Sequence, residues 1–325
     1  MRNSLKAIGA LALAATLAAG LTSGHRAVAQ EMTKMTVAFP PVAAYLPIIA
    51  GIDKGIYKEA GLELSINPDI VGAQLIPAVL SGDVQVAGNI WPFVALAGSQ
   101  GLPIKTVSAL AAGGTTVEDD DQQLVVLAST DIKTSADLAG KTVAINTLNG
   151  LSEFGVRAIA RNEGADADAI KVTPVLFPNM LGVLRAGSVD AAAMIEPFLT
   201  LAKQEEDIRV IGGINVALQS ESPTGIMVMS NDYIEKNPDV VARFQAATKK
   251  AVAYTADEAN RAEIVQLLIK YTRTPPDIAE KMTLPRFVDH HDIAKVQDQI
   301  DLYVKAGVIE KELDMSEFDA QAPAQ

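Results

Sequence analysis

GDVQVAGNIWPFVALA, residues 82–97, and GSVDAAAMIEPFLTLA, residues 187–202, align without a gap and agree at eight of sixteen positions. Each copy reads as a helix that ends at glycine (Gly82, Gly187), a short buried strand beginning at Val84 or Val189, a turn, and a helix opened by Pro92 or Pro197. Proline suits a first helical turn because its missing N–H would have no intrahelical partner there. A strand–turn–helix unit that occurs twice predicts two lobes of one design, the alternative being a chance likeness between two α/β units.

The rest of the chain agrees with that reading. From Met35 onward short β-like runs alternate with helical patterns: strands over Met35 to Phe39, Leu62 to Ile66, Ile104 to Leu110, Leu124 to Ala128, Thr142 to Ile145 and Val172 to Leu176, with helices between them. That alternation is the signature of an α/β protein. After Asp232 the pattern turns helical, through Pro238 to Glu258, Ile264 to Tyr271, Pro276 to Met282 and His291 to Ala306. Two polar, turn-rich stretches, Ala112 to Gln122 and Leu218 to Thr224, read as crossovers between lobes or, failing that, as surface loops. The division that follows is 30–117 with 222–325 for one lobe and 118–221 for the other.

The amino terminus predicts export. Arg2 and Lys6 precede the apolar stretch Ala7 to Leu21, which ends near Ala27-Val28-Ala29, the form of a secretory signal peptide over residues 1–29. Losing that segment takes away Arg2, Lys6 and Arg26 and moves the formal net charge from -12 to -15. So acidic a chain is a poor partner for nucleic acid or anionic membrane. There is no cysteine, which excludes disulfides, thiolate metal sites, cysteine nucleophiles and a lipidated cysteine anchor. A freely soluble, monomeric periplasmic protein is the expectation.

In open α/β sheets ligands bind off the carboxyl ends of strands, where loops lead into helix N-termini with unpaired N–H groups. The candidate binding residues are therefore Pro41 and Tyr45 after the first strand; Gly72 and Gln74 after the second; Asn89 and Trp91 in the first repeat copy; Asn149, Gly150 and Ser152 in the turn after Ile145; Glu196 in the second copy; and Thr224 at the second crossover. The repeat makes Trp91 and Glu196 equivalent, one per lobe, and both are expected to face the cleft. Trp91 could stack on a planar ligand or pack at a lobe edge; Glu196 could receive an amine or amide or hold its own helix N-terminus. None of these loops contains Lys or Arg, although Arg157 lies one turn into a helix, so an organic ligand with an apolar body is favoured over a small, highly charged anion.

Catalytic constellations are thin. The only histidines beyond the leader are the neighbours His290 and His291, expected at the surface or at a helix cap, and no GxSxG, HExxH, P-loop or GxGxxG pattern occurs in a supporting context. The acidic run Glu118 to Asp121 lacks EF-hand spacing and reads as solvated linker. No catalytic residue, metal ligand or cofactor is assigned.

Several short motifs, in order, resemble the periplasmic binding proteins of ABC importers for sulfonates, taurine, nitrate and thiamine-type pyrimidines. They are Tyr45-Leu46-Pro47, Asp53 to Tyr57, Ala60 to Leu64, Leu80 to Val84, Ile132 to Asp137 running into Leu138 to Val143, and Gly187 to Ala191 leading to Glu196-Pro197-Phe198. The resemblance implies the type II periplasmic binding fold, two α/β lobes joined by two crossovers that close over ligand. It also implies an ABC permease and ATPase as partners, and a ligand among sulfonates, aromatic or aliphatic carboxylates and pyrimidine-like compounds. The basic and histidine side chains expected of nitrate binders are missing from the matching loops, and so is the cysteine-rich motif of the pyrimidine-synthase branch. The remaining alternatives are an enzyme of that branch, with Glu196 as acid or base, and a sensory protein feeding a membrane receptor.

Overall fold

The computed structural model describes residues 32–321; the expected signal peptide lies outside the described residues. Among the described residues twelve strands occur in chain order: β1 (Thr33–Ala38), β2 (Leu62–Ile66), β3 (Val86–Asn89), β4 (Ile104–Ala109), β5 (Ala111–Ala112), β6 (Gln122–Leu127), β7 (Thr142–Ile145), β8 (Lys171–Pro174), β9 (Ala191–Ile195), β10 (Ile208–Gly213), β11 (Ile226–Ser230) and β12 (Arg286–Phe287). They form one five-stranded sheet in the order β2-β1-β3-β11-β4, a second in the order β10-β6-β9-β7-β8, and a small pair, β12-β5.

The two large sheets are built alike. In the first, β1 pairs in parallel with β2 and β3, and β11 enters antiparallel between β3 and β4. In the second, β7 pairs in parallel with β8 and β9, and β6 enters antiparallel between β9 and β10. The repeat strands β3 and β9 hold the same place in each. Both antiparallel strands, β6 and β11, are the first that the chain reaches after passing from one sheet to the other.

Each sheet is covered on both faces, as strand alternation requires. Along β11, Met227 and Met229 join one core while Ile226 and Val228 join the other; along β6, Leu124 and Val126 face one layer and Val125 the opposite one. Burial of each such side chain contributes about 1.5–3 kcal/mol, so a one-residue slip of register would expose a whole row.

The repeat is legible at atomic detail. Gly82 and Gly187 sit at φ 84° and 67°, the left-handed region glycine enters without strain, Gly82 as the cap of its helix and Gly187 just beyond the cap Ala186. Regular pairing begins at Val86 and Ala191, two residues later than the sequence pattern indicates. The intervening residues still bond to the neighbouring strand, Gln85 N to Thr36 O at 3.0 Å and Asp190 N to Thr142 O at 2.7 Å. Pro92 lies in the first turn of the helix Trp91–Ser99, whereas Pro197 is the cap residue before Phe198–Lys203 and follows a cis peptide bond.

The C-terminal third is helical as expected, over Pro238–Ala256, Arg261–Thr272, Pro276–Ala279 and Ile293–Lys305, with one exception: Arg286–Phe287 forms a strand on β5. His291 falls outside its expected helix, which instead begins after Asp292, whose carboxylate accepts from Ala294 N at 2.9 Å. Among the described residues no helix is long and apolar enough to cross a membrane.

Candidate functional site

A cavity of about 170 Å³ lies where the carboxyl ends of the parallel strands of both sheets converge. Pro40, Val42, Ala44 and Tyr45 follow β1; Gly72 and Leu75 follow β2; Gly88 and Asn89 end β3; and Ile90 and Phe93 follow it. From the second sheet come Asn146, Thr147, Gly150, Leu151 and Ser152 after β7, Phe177 after β8 and Ile195 at the end of β9. The two passages between sheets add Asp121, Asn215, Thr224 and Gly225, and β6 adds its first residue, Gln122. A void of about 150 Å³ admits a benzene molecule, so this one suits a single substituted ring or an aliphatic body of that size.

Local packing fixes the lining. Tyr45 is buried against β3, its hydroxyl donating to Asn89 O at 3.1 Å and its ring stacked on Phe39 at 5.2 Å between centroids. Burial pushes the Tyr45 phenol far above its ordinary range, so it stays a neutral donor. Gly88 makes the arrangement possible, because a Cβ there would stand 2.4 Å from the Tyr45 ring and 2.5 Å from Phe39 Cβ. In the second sheet Gln122 Nε2 donates to Ser152 Oγ at 2.6 Å, and Ser152 Oγ donates to Asn146 Oδ1 at 2.7 Å. Across the gap, a Cβ on Gly150 would lie 3.9 Å from Phe93 Cζ, an ordinary contact between the two halves.

Of the residues singled out from sequence, Tyr45, Gly72, Asn89, Gly150, Ser152 and Thr224 line the cavity. Pro41, Gln74 and Asn149 do not; all three are exposed, and Asn149, at φ 58°, donates its N–H to Glu153 Oε2 at 3.0 Å. Trp91 is also outside the cavity. It is 0 % exposed, packs with Leu75, Val94 and Tyr303, and donates from Nε1 to His291 Nδ1 at 2.9 Å. The aromatic side chain of the first repeat copy that meets the cavity is Phe93, two positions further on; its counterpart Phe198 stacks at 6.3 Å on Phe177, which lines it.

Glu196 is likewise 0 % exposed and turns away from the cavity. Its carboxylate accepts from Thr200 N at 3.0 Å, Thr200 Oγ1 at 2.8 Å and, from the C-terminal part of the chain, Thr283 N at 3.1 Å. It therefore satisfies the start of its own helix and reaches across to the other half. Arg157 does not enter the cavity either, since it is bound to Glu153 and to Ala167 O.

Two expectations are corrected. His291 is neither exposed nor a cap: it is 3 % exposed, accepts from Trp91 at Nδ1 and places Nε2 2.8 Å from Ala111 O. Those partners require Nε2 to carry the proton. Burial lowers its pKa from 6.5 to about 4. The acidic run is solvated only in its first half: Glu118 is exposed, but Asp120 is 0 % and Asp121 5 % exposed. Asp120 receives Gln122 N at 3.1 Å, Val216 N at 2.9 Å and Asn215 Nδ2 at 2.9 Å, clasping one passage between sheets to the other. Asp121, Gln122 and Asn215 are thus cavity residues that sequence reasoning missed.

The halves also touch away from the cavity. Phe154, after β7, stacks on Tyr303 of the helix Ile293–Lys305 with ring centroids 3.6 Å apart and planes 17° from parallel.

These features define a two-lobed α/β protein of the type II periplasmic binding fold, with its cavity between the lobes. The chain belongs to the NMT1/THI5-like family, whose model matches residues 43–262, more than half its length. It is similar to the taurine-binding periplasmic protein of Escherichia coli, 27 % identical over 216 residues, a match spanning 66 % of this chain and 64 % of that protein. With the formylaminopyrimidine-binding protein of Halalkalibacterium halodurans it shares 22 % identity over 236 residues, 72 % of this chain and 69 % of the other. Among solved structures, the alkanesulfonate-binding protein SsuA of Xanthomonas axonopodis pv. citri, bound to MOPS, superposes with a TM-score of 0.74 at 17 % identity, covering 90 % of this chain and 99 % of that one.

Proposed function

We propose that this chain is the periplasmic solute-capturing component of an ABC-type importer, a monomer that closes over a small organic molecule without changing it. The observation that carries the reading is the cavity, formed jointly by strand ends of both sheets and the two passages joining them. Such a site is complete only when the lobes, 30–117 with 222–325 and 118–221, stand together. Ligand bound between them would shift the population toward the closed form, which the permease and ATPase partners would recognise. In this reading Tyr45, Gly72, Asn89, Gly150, Ser152 and Thr224 contact the solute, with Asp121, Gln122, Asn215 and Phe93 added to them. The names of the relatives bring sulfonates and pyrimidine-like compounds forward as solute classes, and small carboxylates share their size.

The test is a thermal-shift series on the protein with alkanesulfonates, carboxylates, pyrimidines and amines, followed by small-angle scattering with and without the best ligand. Ligand at 100 times its Kd adds about 2.7 kcal/mol to stability. A shift, a compaction and recovery of the ligand intact are expected. Turnover of the ligand would replace capture by catalysis.

A further inference from the structure

The cavity carries an excess of negative charge that its own side chains leave uncompensated. Three carboxylates, Asp120, Asp121 and Glu196, are buried beside one another at the passage into β6. No Lys or Arg lines the cavity. Lys203, with Nζ 3.5 Å from Gln123 Oε1, acts on Glu196 from outside the cavity. Two of the three carboxylates are fully used: Asp120 and Glu196 each accept three donors on their two oxygens.

Asp121 differs. Among the described residues it receives one hydrogen bond, from Asn215 Nδ2 to Oδ1 at 3.0 Å, and its Oδ2 receives none. Asp121 is also the member of the trio that lines the cavity. Asn215 supplies a second, independent sign. It is 2 % exposed and lines the cavity, and its Oδ1 is buried without a partner. The amide cannot be turned to relieve this, because its Nδ2 lies between Asp120 Oδ1 at 2.9 Å and Asp121 Oδ1 at 3.0 Å, and an oxygen there would face two carboxylates. A buried acceptor left unpaired forfeits its hydration without replacement. Asp121 and Asn215, both in the cavity wall, thus each hold one side-chain oxygen that receives no donor.

Resting on the reading of this chain as a solute-binding protein, we propose that its solute presents a protonated nitrogen, an amine or amidinium on a ring-sized apolar body, to Asp121 Oδ2 and Asn215 Oδ1. A cation supplies what the site lacks on both counts. Its N–H groups satisfy both acceptors, and its charge offsets the mutual repulsion of the three carboxylates, which in the empty protein, after burial itself, drives the Asp121 pKa up. A sulfonate or carboxylate head placed there would meet only acceptors. The apolar remainder would lie against Phe93, Phe177 and Ile195.

The experiment uses three probes of one shape: benzamidine, benzamide and benzoate, together with taurine and methanesulfonate as small anionic or zwitterionic competitors. Binding is followed by calorimetry at pH 7.5. Benzamidine is expected to bind at least tenfold more tightly than benzamide, with benzoate weaker still. In Asp121→Asn, benzamidine should lose tenfold or more while benzamide changes less than threefold. That variant retains an oxygen acceptor for Asn215 Nδ2 and removes one of three like charges, so its ligand-free melting temperature should not fall; Asn215→Asp, which would add a fourth carboxylate, serves as the contrary control and should not fold stably. Preference for methanesulfonate or benzoate, with compaction on binding, would overturn the cationic solute and leave solute capture standing. Failure of every probe, anionic and cationic, to bind would overturn both.

Discussion

Replacing His291 with leucine should destabilise the protein at neutral pH and hardly at all in acid. In the folded chain the imidazole is neutral, accepting from Trp91 and donating to Ala111 O. Its pKa is depressed by burial from 6.5 to about 4, so the stability it brings is fully present above pH 6.5 and is lost as the pH falls through 4. The unfolded chain takes up the proton first. Linkage between those two values removes about 2.4 kcal/mol between pH 7 and pH 4.5. His291→Leu orphans the Trp91 N–H, a loss of about 1–3 kcal/mol at pH 7. The difference between wild type and variant should thus fall from about 2 kcal/mol at pH 7 to near zero at pH 4.5. The comparison between the two proteins matters because Asp120 works in the opposite sense: burial lifts its pKa to about 6, so the folded state binds that proton before the unfolded chain and gains stability from it as the pH falls. Urea unfolding followed by the fluorescence of Trp91, the sole tryptophan, measures both proteins at each pH. A difference that changes by less than about 0.5 kcal/mol between the two pH values would refute the argument.

Gly88→Ala should force Tyr45 or Phe39 from its place and lower stability by about 1–3 kcal/mol, read as a shift in urea midpoint, with ligand affinity falling because the Tyr45 wall moves. Phe154→Ala removes the stack on Tyr303 that bridges the halves; a loss of about 3 kcal/mol and a larger radius of gyration in scattering are expected, whereas an unchanged radius would assign the contact to packing alone. Glu196→Ala leaves the Thr200 and Thr283 N–H groups without their acceptor and should lower stability by about 2 kcal/mol, while affinity for solute at fixed closure stays within threefold because the carboxylate is outside the cavity. Trp91→Phe keeps an aromatic ring but leaves a small void and strips the donor from His291 Nδ1, so a loss of about 1–3 kcal/mol in urea unfolding is expected.

The architecture was readable because it is written in local patterns. Glycine, a run of small apolar residues and a proline at fixed spacing recur at 82–97 and 187–202, and those choices are dictated by turn geometry and strand burial that each copy needs by itself. The loops after the strands were readable for the same reason, and they contain most of the cavity. What stayed hidden depends on partners far along the chain. An indole at a turn looks available to a ligand until its acceptor, a histidine two hundred residues later, is brought beneath it. An acidic run looks solvated until Asn215 and Val216, about a hundred residues away, supply the donors that bury it. One signal was present: Asp120 and Asp121 abut the apolar strand that begins at Gln122, with no glycine or proline between them to keep carboxylates at the surface.

The antiparallel entries of β6 and β11 set an order of assembly. The strands of the second sheet, from β6 to β10, form an unbroken run of chain, so everything that sheet pairs with is present once Gly213 has been made. The first sheet cannot finish at its own place in the sequence: among its strands β4 pairs with β11 alone, which follows more than a hundred residues later. Until β11 arrives, β4 is an apolar strand without its sheet partner, and closing so long a loop is slow. Folding should therefore show two phases, an early one confined to the second sheet and a late one that seats β11. A chain cut after Gly213 would keep its second sheet and carry the first with a permanent gap.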